Sequence, residues 1–181
     1  MNTRDAAVSA VNTPIIQMAF VVPDIREAID TWVKDLGAGP WFLVDGITGD
    51  EPDYRGQPTE AAYALATTFV GDMQIELVEM KDDHPSAFRE WVDHRGYGLH
   101  HLGVGSEDVE GDIRKYQAKG YETVFRCGSP LDGRIAFLSA GFDKPSMIEI
   151  IPLSEGTKEM RGMSRKASAD WDGMEPIRNL F

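Results

Sequence analysis

The sequence is nearly without cysteine. Its 181 residues include one, Cys127, which excludes an internal disulfide framework and any Cys-rich zinc site. Basic residues are also scarce: 18 Lys and Arg stand against 30 Asp and Glu, a formal net charge of −12. Without a basic footprint, neither a nucleic-acid backbone nor an anionic membrane surface suits the chain as its main partner. A small anionic substrate stays compatible, because a local site can oppose the net charge. Apolar runs reach only a few residues, far below the ~20 that a membrane-spanning helix needs. The opening residues, MNTRDAAVSAVNTP, carry Asp5 and lack the apolar stretch of a signal peptide. No glycine-rich phosphate loop occurs, since DGRIAF matches neither a dinucleotide fingerprint nor a P-loop. Spacing supports no Ser-His-Asp or Cys-His arrangement. What is present is a globular balance, 42% apolar and 27% charged residues, enough for one domain or two small modules sharing a core. The expectation is a cytoplasmic globular protein.

Two segments read as strands leading into helices. Residues 15–25 (IIQMAFVVPDI) precede REAIDTWVKDLG, and residues 99–109 (LHHLGVGSEDV) precede EGDIRKYQAKG. Asp24 and Ser106 suit helix openings, and Gly37 and Gly120 suit left-handed stops. Apolar spacing near 3.6 marks Ile25, Ala28, Ile29, Trp32 and Leu36 in one helix, and Val109, Ile113 and Tyr116 in the other. Strand-like runs follow each: Trp41–Val44, Ala61–Val70 and Met73–Glu79, then Glu122–Arg126, Ile135–Ser139 and Met147–Ile151. Both halves therefore read β-α-β-β-β, an internal repeat. Gln17 to His101 spans 84 positions and Glu76 to Glu149 spans 73, so the first half holds 11 extra residues. The polar stretch Gly46–Thr59 is the evident insertion, a lid or binding loop or plain surface. Residues 85–94 read as a connecting helix ended by Gly96. The chain thus divides into an N-terminal extension (1–13), a first module (14–80), the connecting helix (81–97), a second module (98–153) and a polar tail (154–181). In the tail, Trp171, Ile177, Leu180 and Phe181 suit docking on the body or on a second subunit, and fraying suits the composition equally.

Side chains alternate faces along a strand, so parity says which residues share a face. Gln17 lies with Ala19 and Val21, opposite the wholly apolar row Ile16, Met18, Phe20 and Val22. His101 lies with Gly103 and Gly105. Glu76 stands opposite Ile75 and Leu77, and Glu149 opposite Ile148 and Ile150. The apolar rows should meet the helices, leaving one polar residue near the middle of each other face. For either Glu alone, a solvent-facing place on an open sheet serves as well. Their equivalent places in the repeat, matched by Gln17 and His101, favour a shared site. Two carboxylates, an imidazole and an amide oxygen form a ligand set for zinc, nickel, cobalt, manganese or iron, and the carboxylates would balance a 2+ charge.

The paired strands before VPDI and SEDV, the segment GYGLHHLGVGSEDV and the endings IELVEM and IEIIPL resemble the vicinal oxygen chelate superfamily. Its members include glyoxalase I, methylmalonyl-CoA epimerase, extradiol dioxygenases and bleomycin-resistance proteins. The resemblance covers about residues 14–153. It implies an α+β fold in which two β-α-β-β-β modules form a curved, mostly antiparallel sheet around a metal site. The ligands come from the first and last strand of each module, here Gln17, Glu76, His101 and Glu149. It further implies a divalent ion (zinc, nickel, cobalt or manganese), a small-molecule substrate and a homodimer. Extradiol dioxygenases need two His and one carboxylate, so Gln17 disfavours ring cleavage. The Gln/Glu/His/Glu set is similar to eukaryotic-type glyoxalase I, whereas the His-His dyad, the preceding helix and DGRIAFLSA resemble the epimerases. The shared chemistry is an isomerase, epimerase or lyase that shifts a proton next to a carbonyl through a metal-stabilised enolate or enediolate. Glu149 is the favoured base by resemblance, with Glu76 the other candidate. The substrate would be a thioester, a glutathione adduct or a hydroxy-carbonyl compound. The alternative is a non-catalytic, bleomycin-resistance-type binding protein.

Other residues carry plainer expectations. His100 should point away from His101 as a packed core histidine, although a one-residue slip would exchange the two. His84 and His94 should be exposed, and Cys127 should be a structural thiol. Trp41 and Phe42 read as core, with a pocket wall the alternative. Arg126 and Arg134 suit either an anionic group or the surface.

Overall fold

The first apolar run forms strand β1 (Ile15–Val21) and turns at Pro23 into helix α1 (Ile25–Leu36). Asp24 caps that helix, accepting the N–H groups of Arg26 and Glu27 at 2.9 Å, two of the four donors a helix start leaves open. Gly37 ends it at φ 63°, where glycine avoids the Cβ penalty. Strands β2 (Trp41–Ile47), β3 (Asp50–Tyr54), β4 (Gln57–Pro58), β5 (Tyr63–Val70) and β6 (Met73–Met80) follow, then helix α2 (Ala87–Arg95). The second half runs β7 (Gly98–Ser106), α3 (Val109–Gln117), β8 (Glu122–Gly128), β9 (Arg134–Ser139) and β10 (Met147–Pro152). Helix α4 (Glu155–Ala169) and strand β11 (Ile177–Asn179) end the described chain. This computed structural model describes residues 14–179. Helix α3 differs from expectation at both ends. Asp108, not Ser106, is the cap; the Ser106 hydroxyl instead donates to buried Asp112 at 2.6 Å. Ala118 closes the last turn, and Gly120 makes the reversal two residues later at φ 87°.

One curved, unclosed sheet takes the order β11-β2-β5-β6-β1-β7-β10-β9-β8-β3-β4. Pairing is antiparallel except for β1–β6, β7–β10 and β2–β11. The first strands of the two halves, β1 and β7, meet at the centre. The apolar rows face the helices as parity requires. Ile25 and Ile29 of α1 pack with Leu77 and Trp41, and Ile113 of α3 packs with Val104, Leu138 and Ile150. The other face is concave, and part of it is filled by α2, whose Phe88 and Trp91 lie against Val21, Val78, Phe137 and Met147. Burying each such ring contributes roughly 1.5–3 kcal/mol.

The insertion and the tail both fold onto this body. After β2, at one flank of the sheet, the chain crosses to β8 at the other flank, where Asp50 pairs with Gly128 and Asp53 with Arg126. Residues 47–50 therefore form a strap over the concave face. Gly49 sits there at φ 82°, where an added Cβ would lie 2.9 Å from the Cys127 Cβ and Sγ atoms. Gly49→Ala is expected to cost about 1–3 kcal/mol, read as a lower urea midpoint at unchanged slope. Helix α4 lies against β5, where the Ser168 hydroxyl stands 3.2 Å from the Thr68 hydroxyl and accepts the Phe69 N–H. The Trp171 ring covers Gly39, leaving no room for a Cβ, and β11 extends the sheet beside β2. Trp171 and Ile177 thus dock on the body, while Leu180, Phe181 and the 1–13 extension lie outside the described residues. Among the described residues no helix is long and apolar enough to cross a membrane.

Candidate active site

The four central strands β6, β1, β7 and β10 bring Gln17, Glu76, His101 and Glu149 together on the concave floor. Register accounts for this: Ala19 pairs with both Glu76 and His101, and Gly103 pairs with both Gln17 and Glu149. Gly103 has a steric reason, because a Cβ there would meet Gln17 Oε1 at 2.7 Å. The Gln17 amide donates to Glu76 Oε2 at 3.0 Å. His101 Nε2 stands 3.1 Å from Glu149 Oε2 and 3.8 Å from Glu76 Oε1. Neither His101 Nε2 nor Gln17 Oε1 has a hydrogen-bond partner, and both are buried. Such orphans are uncommon in folded proteins and call for a reason. Among the described residues no group of three or more His, Cys, Asp or Glu side chains is drawn in to metal-holding distances.

The expected direction of His100 is overturned. Phe20 pairs with Leu99 while Ala19 pairs with His101, so His100 is the extra residue of a β-bulge. A bulge suspends the alternation of faces, and both imidazoles lie on the concave side, in contact with Phe88 and Phe137. His100 is still a packed core histidine, fully buried. Its Nδ1 is 2.8 Å from His101 Nδ1, and its Nε2 is 3.3 Å from the Ala87 carbonyl of α2. The carbonyl can only accept, so His100 carries its proton on Nε2 and accepts at Nδ1. His101 must then donate from Nδ1, leaving a lone pair on Nε2. The chain from Ala87 through His100 therefore aims an unprotonated nitrogen at the two carboxylates.

Lone pairs of Nε2, Glu76 and Glu149 converging in a buried place repel unless a positive charge stands among them. Without one, the carboxylates hold their protons. Burial raises the Glu76 pKa well above its usual value, the Glu149 charge adds to this, and the Gln17 hydrogen bond opposes it. Burial pushes Glu149 up to about 8, against the lowering effect of Arg161. Burial likewise holds His101 neutral, with its pKa down to about 3. These are the signs that desolvation gives acids and bases.

Above the group lies a cavity of about 380 Å³, walled by Phe42, Leu65, Phe125, Ile135 and Phe137 and crossed by the strap at Ile47–Gly49. Phe42 is thus a wall residue, while its neighbour Trp41 is core. The cation of the lining is Arg161, on α4. Sequence reasoning passed over it, because the polar tail hid a helix; Ser154 followed by Glu, Lys, Met, Arg and Ala was the available signal. Arg126 instead pairs with Glu110, and Arg134 binds the Glu51 carboxylate and carbonyl. His84 sits beside Asp82 at the surface, and His94 stacks on Phe142. Cys127 is buried in the cavity wall, with burial raising its pKa to about 12, so it is a poor nucleophile.

Comparisons with known proteins agree with this architecture. Methylmalonyl-CoA epimerase from Mycobacterium tuberculosis superposes with a TM-score of 0.55 at 19% identity, covering 84% of this chain and 99% of that one. A single-substitution variant of the Streptomyces coelicolor methylmalonyl-CoA epimerase, in complex with 2-nitronate-propionyl-CoA, gives 0.52 at 17%, covering 79% and 98%. A mutant of 4-hydroxymandelate synthase from Streptomyces coelicolor gives 0.55 at 18%, over 77% of this chain and 38% of that longer one. At such identities these likenesses show the fold alone. No curated protein matches the sequence. Residues 16–137 match the Glyoxalase/Bleomycin resistance protein/Dioxygenase superfamily, and the chain belongs to that superfamily.

Proposed function

We propose that this protein is a divalent-metal-dependent isomerase, epimerase or lyase that moves a proton beside a carbonyl. The observation that carries the reading is the buried convergence of Glu76, Glu149, the orphaned His101 Nε2 and the orphaned Gln17 Oε1 beneath an apolar cavity. These four residues would hold the ion. Their chemistry suits a divalent ion: two carboxylates, an imidazole lone pair and an amide oxygen. When bound, the ion supplies positive charge for a substrate carbonyl oxygen as the neighbouring C–H proton leaves. Glu149 takes that proton and returns it. Burial of this carboxylate and its place on the concave floor, at 3.1 Å from His101 Nε2, are what support it as the base. Glu76, from the other module, would be the second proton carrier that an epimerisation requires. The apolar walls keep bulk water from the reacting carbon.

Thioesters, glutathione adducts and hydroxy-carbonyl compounds are the substrate classes for this chemistry, and a homodimer is the proposed assembly. Two buried carboxylates facing a free imidazole lone pair favour an enzyme over a non-catalytic binding protein. The test is metal content per chain in natively purified protein, followed by solvent-deuterium exchange into thioesters and hemithioacetals. Near one divalent ion, lost in Glu76→Ala, supports the reading. No metal, even after incubation with zinc, nickel, cobalt and manganese, would shift the assignment to a binding protein. The orienting role of His100 has its own check. His100→Phe fits among Phe88, Trp91 and Phe137 but removes the acceptor for His101 Nδ1–H. Metal affinity should fall about 10- to 100-fold, measured by chelator competition.

A further inference from the structure

We propose that Arg161 is a specificity residue for the carboxylate of the substrate, so that the site takes short carbonyl compounds bearing one acid group. This deepens the proposed function and rests on the same cavity. Helix α4 lies beyond residues 16–137, the stretch that matches the superfamily.

The guanidinium reaches from α4 onto the concave floor, where it donates to Gln74 Oε1 and, at 2.9 Å, to the Ile16 carbonyl. Both acceptors are neutral. Glu149 acts on Arg161 only through its longer-range charge, and among the described residues no ion pair ties up the guanidinium. A guanidinium has five N–H donors, so two neutral acceptors leave enough for a carboxylate gripped side-on. Those two contacts also fix the fork, which removes much of the ordering cost that a free arginine would carry. Among the described residues no other Lys or Arg lines the cavity, and its only other charged residues are Glu76 and Glu149. A ligand with several acid groups would lack countercharges there, whereas a monoanion has one.

The placement also sets a length. Gln74 pairs with Gln17 across the β1–β6 ladder. It lies two residues before Glu76 on the same face, a spacing of about 7 Å. Arg161, Gln74, Gln17, Glu76 and Glu149 thus share the lining of one cavity. A substrate whose reacting carbon sits between the two Glu residues would reach Arg161 with an acid group a few bonds away.

The test compares binding of 4-oxopentanoate with that of its methyl ester by isothermal titration calorimetry, using protein as purified with its metal content measured in parallel. The wild type should bind the acid at least 10-fold more tightly than the ester. In Arg161→Met, of similar volume, the ratio should fall to near one at unchanged metal content, and Arg161→Lys should restore part of it. A preference retained in Arg161→Met would place the carboxylate elsewhere, for instance on the ion, and overturn the proposal. Equal binding of acid and ester by the wild type would overturn it without recourse to any variant. Failure of the catalytic reading shows separately, as absent metal in the wild type, and leaves the acid-to-ester ratio still measurable.

Discussion

Glu149→Gln should keep its metal and lose about 10²- to 10⁴-fold in the rate of solvent-deuterium incorporation, the span that a positioned general base contributes. The substitution preserves the shape of the side chain and leaves one oxygen able to face a cation. It removes the basicity. In the metal-free protein burial raises the Glu149 pKa to about 8, while Arg161 restrains the rise. Glu76→Ala differs in kind, since it removes a ligand oxygen and the acceptor of the Gln17 amide, so metal and turnover should vanish together. Mass spectrometry of metal content beside exchange followed by NMR separates the two cases. Full exchange in metal-loaded Glu149→Gln would transfer the role of base to Glu76.

Most of the fold was legible because the signals are local. Alternation along β1, β6, β7 and β10 placed Gln17, Glu76, His101 and Glu149 on one face, and the floor of the cavity follows that parity. Asp24 and Gly37 marked the ends of α1 because capping chemistry acts within a few residues. Three features were not legible, each for a physical reason. The bulge at His100 depends on how β7 meets β1, and two adjacent histidines carry no sign of the slip. The insertion reads as a loop because its partner, the edge of β8, is distant in sequence. Helix α4 has a polar composition, and much of what stabilises it is contact with β5 and the cavity. Arg161 went with it. The resemblance to known enzymes ended near residue 153, so it gave no guidance to α4.

Removing the metal should lower stability, and the loss should grow with pH. In the metal-free protein the Glu149 carboxyl has a pKa of about 8, against about 4.3 for an unfolded glutamate. A raised acid pKa means that the folded state holds the proton more tightly. The stabilisation is full below the unfolded value and is lost as pH rises through the folded one. His101 acts in the opposite direction. Its pKa of about 3, against about 6.5 unfolded, subtracts stability as pH falls below 6.5. Between pH 6.5 and 8.5 the histidine is neutral in the folded state and sheds only its last half-proton in the unfolded one, a change of about 0.4 kcal/mol, so the carboxylates dominate. Over that interval Glu149 alone should cost the metal-free fold roughly 2 kcal/mol, and Glu76, shifted in the same direction, adds to the loss. A divalent ion reverses the dependence, because it binds the ionised carboxylates and competes with protons for them. Urea unfolding of chelator-treated and metal-loaded protein at the two pH values reads both slopes. The gap between the two forms should widen toward pH 8.5. A metal-free protein equally stable at both values would mean that Glu149 is solvated, and the buried pair on which the catalytic reading depends would be gone.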